Sequence, residues 1–430
     1  MRNLEGTQRR VRYQRGPRRT LRSKVRWVIS VDDYRARILA GISPLPPSTT
    51  PLLSALGLVV AEDILTSRPM PGFDNSSMDG YAVRSSDFTG GSDEVVLTVV
   101  DDLPAGAGMG VTITARCAAR IMTGAPVPAG ADCVVPIEET DGGASTVTIR
   151  ATPTAGAYIR RAGEDLAQGS LAVPRGSIVT TRNLALIASC DLDAVPTRPR
   201  PRVVVMSTGS ELVAPGDAVG FGQVVDCNSY LLAAAVADAG AEVIRIGPVR
   251  DSFEAFTAAL EEHAGMADLI ITSGGVSMGA YDTVKEVLTA RGGVDFLKVA
   301  MNPGMPQGFG RVAGVPIITL PGNPVSTYVS FEAFVRPAIR KMLGHATLLR
   351  PERTATITES ITSPSGKRQF ARGALIGRDR LEVAPVGGQG SHVIGGLSRA
   401  NCIIVIPETV TEVKAGSSVS VIDLRADDDE

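Results

Sequence analysis

The stretch Ser273–Asp282, SGGVSMGAYD, follows an apolar run, Leu269–Thr272, and precedes a helix-forming segment from Tyr281 to Arg291. Strand, glycine-rich loop and helix in that order predict one βα unit of a parallel sheet. At such a turn, backbone N–H groups converge on a helix start, where an anion is favoured. Asp282 places a carboxylate beside that point. Two other stretches repeat the pattern: STGSEL (Ser207–Leu212) after the apolar Arg202–Met206, and LPGNPVS (Leu320–Ser326) after Pro316–Leu320. Helices expected over Ser229–Ala239, Asp251–His263 and up to Leu343 alternate with strands at Glu242–Ile246 and Val294–Ala300, which predicts a parallel, doubly wound α/β domain.

In such a sheet the loops at the strand carboxyl ends gather on one edge. Three glycine-bearing turns there predict an anion shelf long enough for a pyrophosphate. Glu211, Asp226, Asp251 and Asp282 stand around it. Carboxylate oxygens beside phosphate oxygens suit Mg²⁺, which takes one or two carboxylates plus substrate and keeps several waters. For Asp251 a helix-capping role with Glu254 is an equal reading. Neither a Walker lysine nor a GxGxxG after the first strand is present, so a P-loop or dinucleotide fold is not supported.

On the N-terminal side, Val31–Ala40 and Leu52–Asp63 read as short helices. GFDNSSMDGYAVR (Gly72–Arg84) is either a plain turn or a polar loop presenting Asp74, Asn75, Ser76 and Asp79 to a ligand. Val95–Val100, Val111–Thr114, Cys133–Ile137 and Thr146–Ile149 read as strands of a small β domain. IMTGAPVPAGAD (Ile121–Asp132) interrupts them, with Thr123 and Gly124 free to meet a ligand or merely to build a loop. In YIRRAGEDL (Tyr158–Leu166) the arginines and acids suit a solvated ion-pair cluster. VPTRPRP (Val195–Pro201) is a stiff linker. From Thr354 onward the hydrophobic period returns to two, over Thr354–Thr358, Phe370–Leu375, Leu381–Val383, Cys402–Ile406 and Ser418–Leu424, which predicts a barrel-like β domain.

The length of 430 residues allows several domains, each with its own core. A net charge of −2 gives no reason to expect nucleic acid as a partner. Residues 2–26 nevertheless carry nine arginines and one lysine. Lacking hydrophobic periodicity, segment 1–28 is expected to be a disordered, dispensable extension. The apolar run Trp27–Ile29 is too short for a signal peptide, and no stretch approaches the ~20 apolar residues of a membrane span. The five cysteines form no Cys-x-x-Cys pair, which argues against zinc and for a reducing, cytoplasmic setting.

DNSSMDGYAVR, IMTGAPVPAGADCVVPIEE, RRAGEDL, STGSEL, SGGVSMGAYD and LPGNPVS, in this order and spacing, closely resemble the molybdopterin molybdenumtransferase family, also represented by the E domain of gephyrin. The resemblance runs from about Val31 to about Leu424. It implies an elongated N-terminal domain made of segments 31–72 and 157–198, with a β domain, 73–156, inserted. A doubly wound molybdopterin-binding α/β domain, 199–345, and a C-terminal β-barrel-like domain, 346–425, follow. It implies a reaction in which molybdate and adenylylated molybdopterin give molybdenum cofactor and AMP, with Mg²⁺ as cofactor. It further implies a homodimer whose active site is shared between subunits, with a molybdopterin adenylyltransferase and apo-molybdoenzymes as transient partners, and no nucleic acid or membrane. The implied catalytic residues are Asp79, Thr123, Glu211, Asp251 and Asp282, with Asp282 and Asp251 as metal ligands. The implied substrate-binding residues are Ser207, Gly209, Ser273, Gly274, Gly275, Ser277, Lys298, Gly322, Asn323, Ser326 and Arg372. Alternatives are a catalytically weak molybdopterin-binding scaffold, or an adenylyltransferase or CinA-like enzyme sharing the α/β domain.

The chain departs from this pattern at one place. The family commonly shows Lys-Pro-Gly-Lys-Pro where this chain has NPGMP, Asn302–Pro306. Two lysines expected to help hold molybdate are therefore absent. Lys298 remains, with Arg368 or Arg372 as possible sources of charge, and oxyanion affinity is expected to be lower or carried by other residues.

Overall fold

The computed structural model describes residues 28–89, 94–106, 108, 110–276, 283–377 and 381–425. Ser277 and Asp282, and residues 1–27 of the basic segment, lie outside the described residues.

The centre of the molecule is a seven-stranded sheet with helices on both faces. Its elements in chain order are β1 (Val28–Ile29), α1 (Val31–Ala40), β2 (Arg202–Thr208), α2 (Asn228–Asp238), β3 (Glu242–Val249), α3 (Phe253–Ala264), β4 (Leu269–Ser273), α4 (Thr283–Arg291), β5 (Val294–Val299), β6 (Pro306–Val312), β7 (Val315–Leu320), α5 (Pro324–Ser330) and α6 (Arg336–Leu343). The strand order is β1-β5-β6-β7-β4-β2-β3. Every neighbouring pair is parallel except β5–β6 and β6–β7, so the expectation of an all-parallel sheet is corrected. The hairpin β6–β7 turns at Ala313-Gly314, both with positive φ, which is too short a connection for a parallel crossover.

Alternation along the strands sends side chains to opposite faces. Val203, Val205, Leu269 and Ile271 join Leu232 and Val236 of α2, together with Val31, Tyr34 and Ile38 of α1. Val204, Met206 and Ile270 face Phe256 and Leu260 of α3 and Val284, Val287 and Leu288 of α4. Tyr34 packs edge-on against Phe334 at a centroid distance of 4.9 Å, an arrangement that adds ~0.5–1.5 kcal/mol beyond simple burial. Helix α1, which by sequence order belongs with the N-terminal segment, thus completes the α/β core. The single helix expected up to Leu343 is broken by a π-turn, Phe331–Val335. Pro337 lacks the N–H that would continue an α-helical ladder. Gly344, at φ +81°, closes α6.

Two sequence expectations fail in the N-terminal region. Leu52–Asp63 is no helix: a short 3₁₀ turn, Leu52–Ala55, gives way at Gly57 (φ +76°) to strand Val59–Val60. The stiff linker begins as strand Ala194–Arg198, paired with Ser48–Pro51 and Val59–Val60. The inserted β domain is a five-stranded sheet in which Gly80–Val83 lies between Cys117–Ile121 and Cys133–Pro136. A Cβ at Gly80 would stand 1.9 Å from the Val135 carbonyl oxygen, so only glycine fits. The polar stretch Gly72–Arg84 therefore ends in a buried central strand. Val111–Thr114 is not a strand; Cys117–Ile121 is, its alanines hiding it from a hydrophobicity pattern.

The C-terminal domain is a closed barrel. Strands Arg368–Ile376, Glu382–Pro385, Glu352–Ile357, Ser418–Asp423 and Cys402–Ile406 pair in sequence around the ring, and the last pairs back with the first. A two-residue strand, Met301–Asn302, pairs with Arg368–Gln369 and ties the α/β domain to the barrel.

Candidate active site

At the carboxyl edge of the sheet the loops after β2, β4 and β7 line one cavity of about 1020 Å³. Ser207, Gly209, Glu211, Asp251, Ser273, Gly274, Gly275, Gly322, Asn323 and Ser326 all border it, so the structure brings together most of the expected shelf. Backbone geometry explains the glycines. Gly274 and Gly275 have φ of +97° and +65°, and a Cβ at Gly274 would lie 2.5 Å from the Thr208 carbonyl oxygen. A Cβ at Gly209 would press on the Glu211 carboxylate at 2.6 Å. Two of the loop N–H groups are already used. Gly209 donates to Val249 O and Gly274 to Leu320 O, each at 3.1 Å, so these two close the loops onto the sheet and are not free for an anion.

The acids differ in state. Both Asp226 oxygens accept from Ser229, one from its N–H at 3.1 Å and one from its hydroxyl at 2.6 Å, so buried Asp226 caps α2. Asp251 is not the cap of α3: Ser252 takes that role, its hydroxyl accepting from Ala255 N–H at 3.2 Å. Asp251 is held instead by its own N–H donating to Ser210 Oγ at 3.2 Å. Among the described residues, its buried Oδ1 has no partner, and neither has Ser207 Oγ. Buried polar atoms at a cavity wall without partners are the places a ligand's polar groups satisfy. Glu211 and Asp251 both border the cavity, and carboxylates there are the donor type that Mg²⁺ takes.

The barrel contributes the remaining wall. Lys367, Gln389, Gly390, Ser391 and His392 line the cavity. The segment is seated on the loop after β7: Asn323 Nδ2 donates to Ser391 Oγ at 2.9 Å, and Val325 N–H to Ser391 O at 3.0 Å. The first free N–H of α5 is thus capped by protein. Arg372, expected to bind substrate, does not line the cavity. It is buried, its guanidinium donates to the carbonyls of Gly388 and Gly390, and its N–H donates to Gln389 Oε1 at 3.1 Å. Burial lowers its pKa. Arg372 thus shapes the segment that carries Ser391 and His392. Arg368 is also unavailable, bound by both nitrogens to Asp32 at 2.9 and 2.7 Å and to Glu408 at 3.1 Å. Lys298 sits on β5 between Val28 and Pro306 and does not border the cavity. Lys367 is the one lysine or arginine lining the cavity among the described residues. It and the GGQGSH segment were missed in the sequence, although a glycine-rich polar run inside a β domain is itself a signal.

The NPGMP segment also lines the cavity. Asn302 Nδ2 donates to Gln369 Oε1 at 3.1 Å, and buried Gln307 donates to Gly304 O at 2.7 Å and Ser330 Oγ at 2.6 Å. Amide side chains, not charges, hold this loop.

Asp79 and Thr123 lie together in the inserted β domain, outside the cavity wall formed by the same chain. The Thr123 N–H, and secondarily its hydroxyl, hold the Asp79 carboxyl below the ordinary carboxylate range. Arg161 forms a solvated ion pair, as expected, but its partner is Asp74 on the neighbouring loop: Nη1 donates to Asp74 at 2.6 Å with both side chains exposed, and Ala162 N–H donates to the other oxygen at 2.8 Å.

Comparison with known proteins places this architecture. Residues 29–190 match the model of the MoeA N-terminal region (domain I and II), residues 204–341 that of a probable molybdopterin binding domain, and residues 354–424 that of the MoeA C-terminal region (domain IV). A protein named molybdopterin molybdenumtransferase 2 from Mycobacterium tuberculosis is 48% identical over 403 residues, covering 92% of this chain and 99% of the relative. One named molybdopterin molybdenumtransferase from Haemophilus influenzae is 36% identical, covering 92% and 98%. The crystal structure of a molybdopterin biosynthesis MoeA protein from Pyrococcus horikosii superposes with a TM-score of 0.83 at 30% identity, covering 93% of this chain and 100% of that one. The chain belongs to the molybdopterin molybdenumtransferase family.

Proposed function

We propose that this chain transfers molybdenum from molybdate into adenylylated molybdopterin with release of AMP, yielding molybdenum cofactor. The observation that carries this is one cavity walled by three sheet-edge loops and a barrel segment, in a chain whose matches to the family lie between residues 29 and 424. Proteins sharing only the α/β domain leave the N-terminal and barrel regions without explanation, so the adenylyltransferase and CinA-like alternatives are not favoured.

Cleaving a phosphoanhydride requires charge to be neutralised on the non-bridging oxygens and the nucleophile to be held in line. Mg²⁺, when bound by Glu211 and Asp251, would supply that neutralisation. Ser207 Oγ offers a hydrogen bond to the ligand from the cavity floor. Lys367, Ser326 and Ser391, which all border the cavity, offer the cationic, hydroxyl-rich surrounding that molybdate needs. The chain works as a homodimer in which the Asp79–Thr123 loop of one copy completes the cavity of the other, which accounts for two functional loops lying outside the cavity of their own chain. The adenylyltransferase that makes the substrate and the apo-molybdoenzymes that take the product are transient partners. Among the described residues no helix is long and apolar enough to cross a membrane, and all five cysteines are free, in keeping with a cytoplasmic site of action.

The test is reconstitution with purified chain, adenylylated molybdopterin, molybdate and Mg²⁺, followed by activation of an apo-molybdoenzyme. Activation that depends on the chain supports the proposal. Tight binding with no activation contradicts it in favour of a scaffold.

A further inference from the structure

Helix α2 begins at a residue that touches two of the three cavity loops at once. The Asn228 side-chain Nδ2 donates to Ser273 Oγ, at the end of β4, at 2.8 Å, and to the Gly322 carbonyl, after β7, at 2.6 Å. The amide orientation follows from chemistry: the Gly322 carbonyl can only accept, so it must face the nitrogen. The two loops meet where the amide spans them. A Cβ built on Gly322 would lie 3.5 Å from Gly274 Cα, so the backbones are in van der Waals range there.

The bridging side chain is itself anchored. Asp226 caps the helix start through both oxygens, as described above. Arg245 on β3 donates to the hydroxyl of that same Ser229 at 3.2 Å, and its guanidinium lies 4.1 Å from the Tyr230 ring centroid. The first turn of α2 is therefore fixed to the sheet, and Asn228 has little freedom to follow a loop that moves.

We infer that Asn228 is a positioning residue that sets the separation between the loops after β4 and β7, and thereby selects a ligand whose two anionic groups engage both loops. The inference deepens the reading of the cavity as a phosphoanhydride site and rests on that reading. A ligand with one phosphate needs only one loop, whereas a pyrophosphate needs the spacing. Loss of the clamp thus costs the second contact its effective concentration and spares the first.

The experiment is titration calorimetry with magnesium pyrophosphate and with inorganic phosphate on the wild-type chain and on Asn228→Ala, Ser273→Ala and the double variant. Asn228→Ala is expected to weaken pyrophosphate by ~10–100-fold while phosphate shifts by less than ~3-fold. Ser273→Ala, which removes one arm of the clamp, is expected to fall between, and the double variant to be no worse than Asn228→Ala. Thermal unfolding midpoints within ~1 °C of wild type establish that the fold is intact. Equal losses for both ligands, unchanged pyrophosphate affinity in Asn228→Ala, or no pyrophosphate binding by the wild-type chain each overturn the inference. Absence of molybdenum transfer together with an intact pyrophosphate-to-phosphate effect would instead reject the activity and leave the clamp standing.

Discussion

The backbone N–H and the hydroxyl of Thr123 both donate to one oxygen of Asp79, each at 2.7 Å. Two donors on one carboxylate oxygen favour its charged form, so Asp79 stays ionised to a lower pH than a free aspartate. Thr123→Ala removes the hydroxyl and keeps the N–H. The Asp79 pKa then moves up toward the ordinary value, and the acidic limb of the rate profile shifts to higher pH with the pH-independent rate less affected. A pH–rate profile of the variant beside wild type checks this.

If the Asp79 loop serves the neighbouring copy, two defective chains repair each other. Asp79→Asn and Asp251→Asn are each expected to lower turnover by ~10²-fold or more, since each removes charge at the reacting groups. Refolding the two variants together gives heterodimers with one doubly altered and one unaltered site. Statistical mixing places about a quarter of all sites in the unaltered form, so activity should return to about that fraction of wild type. Activity no higher than that of the separate variants would place both residues in the same chain's site.

Lys367 lines the same cavity as Asn302 and Met305, the two positions at which the resemblance implies lysines. If Lys367 holds molybdate, Lys367→Gln removes a charge-assisted hydrogen bond, of a kind worth ~1.5–3 kcal/mol, and should raise the molybdate concentration at half-maximal rate by ~10–100-fold. Asn302→Lys combined with Met305→Lys should lower it. Lys298→Gln, altering a strand position away from the cavity, should change it little. Initial rates across a molybdate series measure all three, and an unchanged dependence in the Asn302→Lys, Met305→Lys chain would remove the charge argument.

Burial, with Arg340 and Arg336 nearby, depresses the His345 pKa to about 4. Between its ordinary value, ~6.5, and about 4 the unfolded chain binds a proton that the folded chain refuses. Stability from this group is fully present above that window and falls as the pH drops through it. His345→Gln should flatten this part of the stability curve, as read from urea midpoints at pH 7 and pH 4.5.

Much of this architecture was legible in residue pattern because its causes are local. The alternation in β2, β4 and β7, the glycines at Gly274 and Gly275, and the serine and acid types beside them all act within a few residues of one another. What escaped depends on contacts distant in sequence. Arg372 has the chemistry of an anion ligand and becomes a buried support because Gly388 and Gly390 fold over it. Asp226 looks like a metal ligand until Ser229 takes both its oxygens. Asn228 is unremarkable in sequence, since its partners Ser273 and Gly322 lie 45 and 94 residues away. The antiparallel β6 was hidden because it is a hairpin strand inside an otherwise alternating βα pattern.

The central claim, molybdenum-coupled cleavage of the adenylylated pterin, is tested most directly by single-turnover AMP release from adenylylated molybdopterin at saturating chain and Mg²⁺, with and without molybdate. The account predicts release that rises with molybdate to a plateau and is lost in Glu211→Gln. Release that is indifferent to molybdate, or bound substrate that yields no AMP at any molybdate concentration, would contradict it.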